Sequence, residues 1–302
     1  MKHRDLLSIA DLSAEEVWQL IKGAMALKRA PGSDLLSGKV LALLFEKPSL
    51  RTRVSFEVAM RQLGGHTIYL SPQEVGLGKR EPVADVARVL SRYVDIIAVR
   101  TFAHSDLQLL AQNASVPVIN ALDDYEHPCQ ALADLLTIYE KKGKLEGLTL
   151  AYVGDGNNVA RSLFLAAMHA GMTFQMAAPQ GYGLDEATVA TGHRLAQGGA
   201  RLLRLTSPEA AASGADILYT DVWTSMGQEA EAESRRRAFA GYQVDARLLS
   251  LAKTDAILMH PMPAHYGEEL APGMEASPQS VLFDQAENRL HMQKAILAQI
   301  LG

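Results

Sequence analysis

The chain has 302 residues, 48% hydrophobic and 21% charged, the proportions of an ordinary soluble globular protein with room for two cores. A formal charge of −5 gives no electrostatic case for a nucleic-acid or anionic-membrane partner, and no apolar run is long enough to span a bilayer. One cysteine, Cys129, excludes an internal disulfide and fits a reducing compartment; with no signal-like segment after Met1, the expectation is a cytoplasmic protein.

In chain order, Ser13-Ala14-Glu15-Glu16 is a capping box opening a helix that runs to about Lys28, where Pro31-Gly32-Ser33 ends it. Strands are then predicted at residues 40–45, 66–70, 96–99 and 116–119, with helices at 51–63, 82–93 and 106–112 between them. A helix over 128–141 leads into the polar break Lys141-Lys142-Gly143-Lys144. A second series follows, with strands at 148–153, 173–177, 201–205, 216–220 and 256–259 and helices at 158–170, 185–197, 229–240 and 245–253; a last helix covers 286–301. Such alternation implies parallel sheets covered on both faces. The fold class is therefore α/β, with two doubly wound parallel-sheet domains, an interdomain cleft and a long joining helix. The C-terminal helix is expected to pack back on the N-terminal domain. The first domain takes residues 1–142 and 286–302, the second 143–285. Ligands in such folds sit at the carboxyl ends of the strands.

The polar clusters fall at those ends. Ser49-Leu50-Arg51-Thr52-Arg53 stands where the first strand becomes a helix, so two guanidiniums and two hydroxyls meet free backbone N–H groups and the positive end of a helix dipole. Forked Arg donors suit phosphate oxygens, and a small phosphorylated ligand is the expected occupant. Arg100 ends the third strand. His127-Pro128-Cys129-Gln130 opens the long helix, with Pro favoured in the first turn; His127 and Gln130 lie one turn apart and can share one small polar group, or serve as a cap and a surface Gln. Cys129 is assigned to packing. Gly154-Asp155-Gly156-Asn157-Asn158-Val159 invites a dinucleotide reading, but Val159 replaces the third glycine and the next strand ends Ala177-Ala178-Pro179 without an acid for a ribose. A nicotinamide-dependent oxidoreductase is thus the remote alternative, and Asn158 is assigned instead to a substrate carboxylate or amine. Asp221 can pair with an ammonium, and Ser225 with the Met226 backbone can hold a carboxylate. His260-Pro261-Met262-Pro263 follows the strand at 256–259, where carbonyls can accept bonds from an amide. Glu287-Asn288-Arg289 supplies one more Arg. The run Arg235-Arg236-Arg237 follows Glu231 and Glu233 at four-residue spacing and reads as a solvated, self-paired helix face. No Cys/His cluster has zinc spacing, and neither metal nor cofactor is expected.

Together these pieces resemble the carbamoyltransferase family. The matching segments are Ser-Leu-Arg-Thr-Arg-Val-Ser-Phe-Glu (49–57), Glu-Pro-Val-Ala-Asp-Val-Ala-Arg-Val-Leu-Ser-Arg-Tyr (81–93), His-Pro-Cys-Gln-Ala-Leu-Ala-Asp (127–134), Gly-Asp-Gly-Asn-Asn-Val (154–159), Asp-Val-Trp-Thr-Ser-Met-Gly (221–227) and Glu-Asn-Arg (287–289), in family order. The Ser-Met-Gly loop looks like the ornithine-using branch. The resemblance implies that Ser49, Leu50, Arg51, Thr52, Arg100, His127, Gln130, Pro261, Met262 and Arg289 bind carbamoyl phosphate, with Arg51, Thr52, Arg100 and His127 catalytic. Asn158, Asp221, Ser225 and Met226 would hold ornithine. It further implies a homotrimer with sites at subunit borders. Two positions depart from the pattern: Pro261 stands where the ornithine enzymes usually have Cys, as in the aspartate enzymes, and Gly76 replaces a Gln that a neighbouring subunit commonly donates. Aspartate, putrescine or an N-acyl-ornithine is the alternative acceptor.

Overall fold

A computed structural model describes residues 1–30 and 32–302; Pro31, expected to end the first helix, lies outside the described residues. The chain divides into two compact units, residues 1–136 with 287–302 and residues 137–286.

The first unit holds a four-stranded sheet in the order β2-β1-β3-β4, every pair parallel. Its strands are β1 (Val40–Phe45), β2 (His66–Leu70), β3 (Ile96–Arg100) and β4 (Val118–Leu122). Around them lie α1 (Ala14–Arg29), α2 (Leu50–Gln62), α3 (Pro72–Val75), α4 (Val83–Leu90) and α5 (His104–Asn113). The helix α6 (Pro128–Lys142) starts in this unit. Strands β1 and β3 are almost wholly buried, as expected of parallel strands covered on both faces. Side chains such as Leu44, Val86, Ile97 and Leu107 form one core.

The second unit holds a five-stranded parallel sheet, β7-β6-β5-β8-β9. Its strands are β5 (Thr149–Val153), β6 (Thr173–Ala177), β7 (Arg201–Leu205), β8 (Ile217–Thr220) and β9 (Ile257–Met259). Its helices are α7 (Asn158–His169), α8 (Glu186–Leu195), α9 (Pro208–Ala212), α10 (Ala232–Ala238) and α11 (Ala246–Leu249). Tyr152 stacks on Tyr219 at 5.6 Å and on Phe174 at 6.1 Å inside it. The last helix, α12 (Leu282–Leu301), supplies Glu287 onward to the first unit. There Asn288 Oδ1 accepts from Lys28 Nζ at 2.9 Å, and Lys294 Nζ donates to the Leu27 carbonyl at 2.8 Å, joining α12 to α1.

Several boundaries differ from expectation. The fourth strand runs Val118–Leu122 rather than 116–119, because Pro117 has no N–H for the ladder and contributes only its carbonyl, to Ile97 N at 3.0 Å. The helix expected over 245–253 stops at Leu249: the Leu251 carbonyl is taken by Gly214 N, and Lys253 N donates to the Ala215 carbonyl. The stretch 229–240 opens as a 3-10 turn, Glu229–Glu231, before α10. The final helix begins at Leu282 instead of 286, its ladder starting with Gln285 N to the Val281 carbonyl at 2.8 Å. The short helices α3 and α9 were not expected. No helix among the described residues is long and apolar enough to cross a membrane.

Two helical glycines test the packing with opposite signs. A Cβ on Gly192 in α8 would lie 2.3 Å from the buried Phe164 ring, whereas on Gly23 in α1 it would meet Ala295 Cβ at 3.7 Å, ordinary contact. Gly192→Ala should destabilise, overpacking of roughly 1–3 kcal/mol exceeding a helix-propensity gain of about 1 kcal/mol. Gly23→Ala should stabilise by up to about 1 kcal/mol. Urea denaturation of the two variants checks both signs.

Candidate functional site

In a doubly wound sheet the ligand-bearing loops leave the carboxyl edge where strand order reverses. In the first unit that point lies between β1 and β3. Phe45 pairs with Arg100 there, and Glu46 N donates to the Arg100 carbonyl at 2.7 Å. The register between β3 and β4 shifts at Val99/Arg100. The chain leaving β1 enters α2, capped by Ser49, whose Oγ accepts from Thr52 N at 3.3 Å.

Thr52 is fully buried, and its Oγ1 accepts from Arg289 Nη2 at 2.7 Å. Arg100 is 9% exposed, and its Nε has no hydrogen-bond partner. Its guanidinium is pushed down to about 10 by burial first, then by the charges of Arg289 and Arg51. It therefore remains a cation at neutral pH. Burial also lowers Arg51. Neither Arg51 nor Arg100 has an ion pair among the described residues. Arg53 does not join them: it bonds Glu57 at 2.9 Å and lies over the Tyr69 ring at 3.8 Å, so of the two guanidiniums expected from this motif Arg53 is engaged elsewhere. The Leu50 side chain is exposed, so the residue can offer the site only its backbone.

His127 and Gln130, at the start of α6, are both buried. The turn ahead of them is built by Asp123, whose Oδ1 accepts from Tyr125 N at 2.7 Å and Glu126 N at 2.6 Å. Sequence reasoning missed this Asp; the signal was an Asx-type turn just before the predicted helix. Burial, then the Arg289 and Arg100 charges, hold the His127 imidazole well below its usual range, so it is neutral. Gln130 Nε2 donates to Asp134 Oδ1 at 2.8 Å, whereas Oε1 has no partner. The exposed polarity of the amide is thus that of an acceptor. Cys129 is buried, and burial pushes its thiol up to about 12, which agrees with packing rather than chemistry.

The second unit repeats the logic at its own reversal point, between β5 and β8. Asp221 follows β8 and is buried, which raises its carboxyl; a hydrogen bond from Asn157 pulls the other way. Asn157 was missed in favour of Asn158, although Asn is a preferred cap. It caps α7, its Oδ1 accepting from Val159 N and Ala160 N, while its Nδ2 donates to Asp221 Oδ2 at 2.8 Å. Asn158 Oδ1 accepts from Val159 N at 2.9 Å. In the next loop Ser225 N donates to Gln228 Oε1 at 3.1 Å and Gly227 N to the Glu229 carboxylate at 3.0 and 3.1 Å. Loop side chains thus meet the N–H groups on either side of the half-exposed Met226. After β9, Met262 has a left-handed backbone (φ 59°), and its N–H donates to His260 Nδ1 at 2.9 Å; Pro261 is buried beside it.

The glycine-rich turn does not present a dinucleotide cradle. A Cβ on Gly156 would lie 2.5 Å from the Gly183 backbone, so the bare Cα admits the protein's own loop. His265, Glu268 and Glu269 bring ligand atoms within 4.8 Å, but Arg236 Nε bonds Glu268 at 2.9 Å, and Glu269 Oε1 takes the His265 N–H at 2.6 Å and faces His260 Nε2 at 3.0 Å.

Comparison with known proteins identifies relatives along the whole chain. Residues 4–140 match the profile of the aspartate/ornithine carbamoyltransferase carbamoyl-P binding domain, and residues 146–300 that of the Asp/Orn binding domain. The chain is 52% identical to an ornithine carbamoyltransferase of Pyrococcus abyssi, over 100% of this chain and 97% of the relative. It is 53% identical to one from Gloeobacter violaceus, over 99% and 96%. The solved ornithine carbamoyltransferase of Pyrococcus furiosus superposes with a TM-score of 0.96 at 51% identity, covering 100% of this chain and 98% of that one.

The His127 environment has a measurable consequence. In the unfolded chain this imidazole takes a proton near 6.5, whereas in the fold it does not until well below that. Below about pH 6.5 the unfolded state therefore binds more protons, and this group removes stability as pH falls. His127→Gln should flatten the slope of unfolding free energy against pH between about 6.5 and 5 in a urea series; an unchanged slope contradicts the neutral imidazole.

Proposed function

The chain belongs to the aspartate/ornithine carbamoyltransferase family, and we propose that it transfers the carbamoyl group of carbamoyl phosphate to the δ-amine of L-ornithine, giving L-citrulline and phosphate. The observation that carries this reading is the crowding of Arg100 by Arg51 and Arg289 at the amino end of α2, where Arg51 and Arg100 have no ion pair among the described residues. A dianionic phosphoryl group supplies the missing charge.

Ser49, Leu50 N–H, Arg51 and Thr52 take the phosphate, with Arg289 reaching it through its contact with Thr52. The free acceptor Oε1 of Gln130 has the polarity to receive a carbamoyl NH2, and the Pro261 and Met262 carbonyls act in the same sense. Arg100 and His127 polarise the carbonyl. His127 does so as a neutral N–H donor, because a second buried cation beside Arg100 and Arg289 is disfavoured.

Asp221, Asn158, Ser225 and Met226 hold ornithine by its charged groups. The δ-amine attacks as the uncharged base, a form favoured by a water-poor setting. The N–C bond forms, a tetrahedral oxyanion appears opposite Thr52, Arg100 and His127, and its collapse breaks the C–O bond to phosphate, the amine proton passing to the departing phosphate. Positioning and charge stabilisation by these side chains suffice, with no covalent intermediate on the protein. The reading extends to a homotrimer, which light scattering in solution tests, and to the cytoplasm, which the single buried thiol fits.

One observation favours a second acceptor. Pro261 stands after His260 where the aspartate-using branch, with its His-Pro-Leu-Pro, also has Pro, against Ser225-Met226-Gly227 for ornithine. Citrulline formation should exceed carbamoylation of aspartate, putrescine and N-acetyl-ornithine in a radiolabelled carbamoyl phosphate assay; an aspartate preference refutes the ornithine assignment.

Arg51→Ala should nearly abolish citrulline formation. Loss of one transition-state donor costs about 2.7–4 kcal/mol, or about 10²–10³ in kcat. Turnover like that of the unchanged protein would remove Arg51 from the mechanism.

A further inference from the structure

Asp155 and Arg235 have no part in the chemistry above, yet they form a nearly buried ion pair at the acceptor end. The sequence places Arg235 on a solvated helix face, and the structure corrects this. The helical partner Glu231 is present at 2.9 Å, but Arg235 is only 8% exposed. Its Nη1 donates to Asp155 Oδ2 at 2.9 Å and to the Trp223 carbonyl at 3.2 Å, and its guanidinium lies over the Tyr182 ring at 5.3 Å. One side chain thus ties the β5–α7 turn, the chain just after Asp221, and the entry to α10. Trp223 is fixed further by stacking on Phe239 at 5.6 Å.

The segment between Trp223 and Glu231 carries Ser225 and Met226. Asp221 lies just ahead of it, held by Asn157, two residues beyond Asp155. We propose that Asp155 and Arg235 are positioning residues for the amino-acid acceptor, their ion pair clamping both ends of the 223–231 segment to the β5–α7 turn so that Asp221, Ser225 and Met226 stand together. This rests on the reading of those three residues as ornithine ligands. Burial pushes the Asp155 carboxyl up to about 6; Arg235 opposes that rise, while Asp221 adds to it. Without Arg235, Asp155 shifts further toward its protonated form, so the two side chains act as one unit.

Asp155→Asn (nearly isosteric), Arg235→Met and the double variant are to be compared with the unchanged protein for KM of L-ornithine, KM of carbamoyl phosphate, inhibition by L-norvaline (which keeps the α-amino and α-carboxylate groups but lacks the δ-amine) and melting temperature. Each single change should raise KM for ornithine and the norvaline inhibition constant about tenfold, and the double variant should be no worse than the worse single, the mark of coupled partners. KM for carbamoyl phosphate should stay within about twofold, because its ligands in the first unit are untouched. Arg235→Lys, which keeps the charge but cannot bridge Trp223 and Glu231 together, should show a smaller rise of the same kind. The proposal fails if KM for ornithine does not move in Asp155→Asn and Arg235→Lys, if both substrates lose affinity alike, or if the variants simply unfold. An unchanged protein that forms no citrulline sinks the ornithine reading instead.

Discussion

Arg100 is a cation held almost out of water at the end of a buried strand, with the charges of Arg51 and Arg289 acting on it. Such an arrangement opposes its own formation: desolvation disfavours each ion, and like charges disfavour one another. It persists because the scaffold over-determines it. Parallel pairing of β1 with β3 aligns Phe45 with Arg100, where the register with β4 shifts. The Ser49 cap fixes the start of α2, and the Thr52–Arg289 bond joins two points 237 residues apart in the chain. In the proposed function a bound phosphoryl dianion offsets this repulsion.

In the proposed reading, charge serves the phosphate and hydrogen-bond direction serves the carbamoyl group. Asp134 takes the donor end of Gln130 and leaves the acceptor. Burial and then the neighbouring cations keep His127 neutral. Asp134 touches no substrate in the proposed mechanism, and neither does Asp123, whose turn sets up α6. In the second unit Asn157 plays the comparable part, capping α7 with its oxygen and steadying Asp221 with its nitrogen. An amide is suited to this because it offers both polarities from one side chain.

Both units place their polar clusters where strand order reverses, between β1 and β3 in one and between β5 and β8 in the other. Two loops leave the same edge there in opposite directions, which opens a crevice without disturbing the ladder. The second unit closes part of its crevice with its own backbone, since Gly183 packs against the bare Cα of Gly156. A motif that resembles a nucleotide turn in sequence therefore serves loop packing in space.

Features written within a few consecutive residues were legible in the chain itself. The Ser13 capping box, the apolar run of β1, the alternation that makes both units α/β, and the placement of Arg51 at a helix amino end all follow from local propensity and periodicity. Features that depend on which strands become neighbours were not. Arg53 has the same local credentials as Arg51, yet Tyr69 on the adjacent strand and Glu57 take it elsewhere. Arg235 carries every sign of a solvated helix, yet α10 turns it inward to Asp155. Arg289 gains its place only from the way α12 returns to α2. The physical reason is range: propensity and capping act over one or two turns, whereas desolvation and charge pairing depend on through-space distances that strand order and register alone decide.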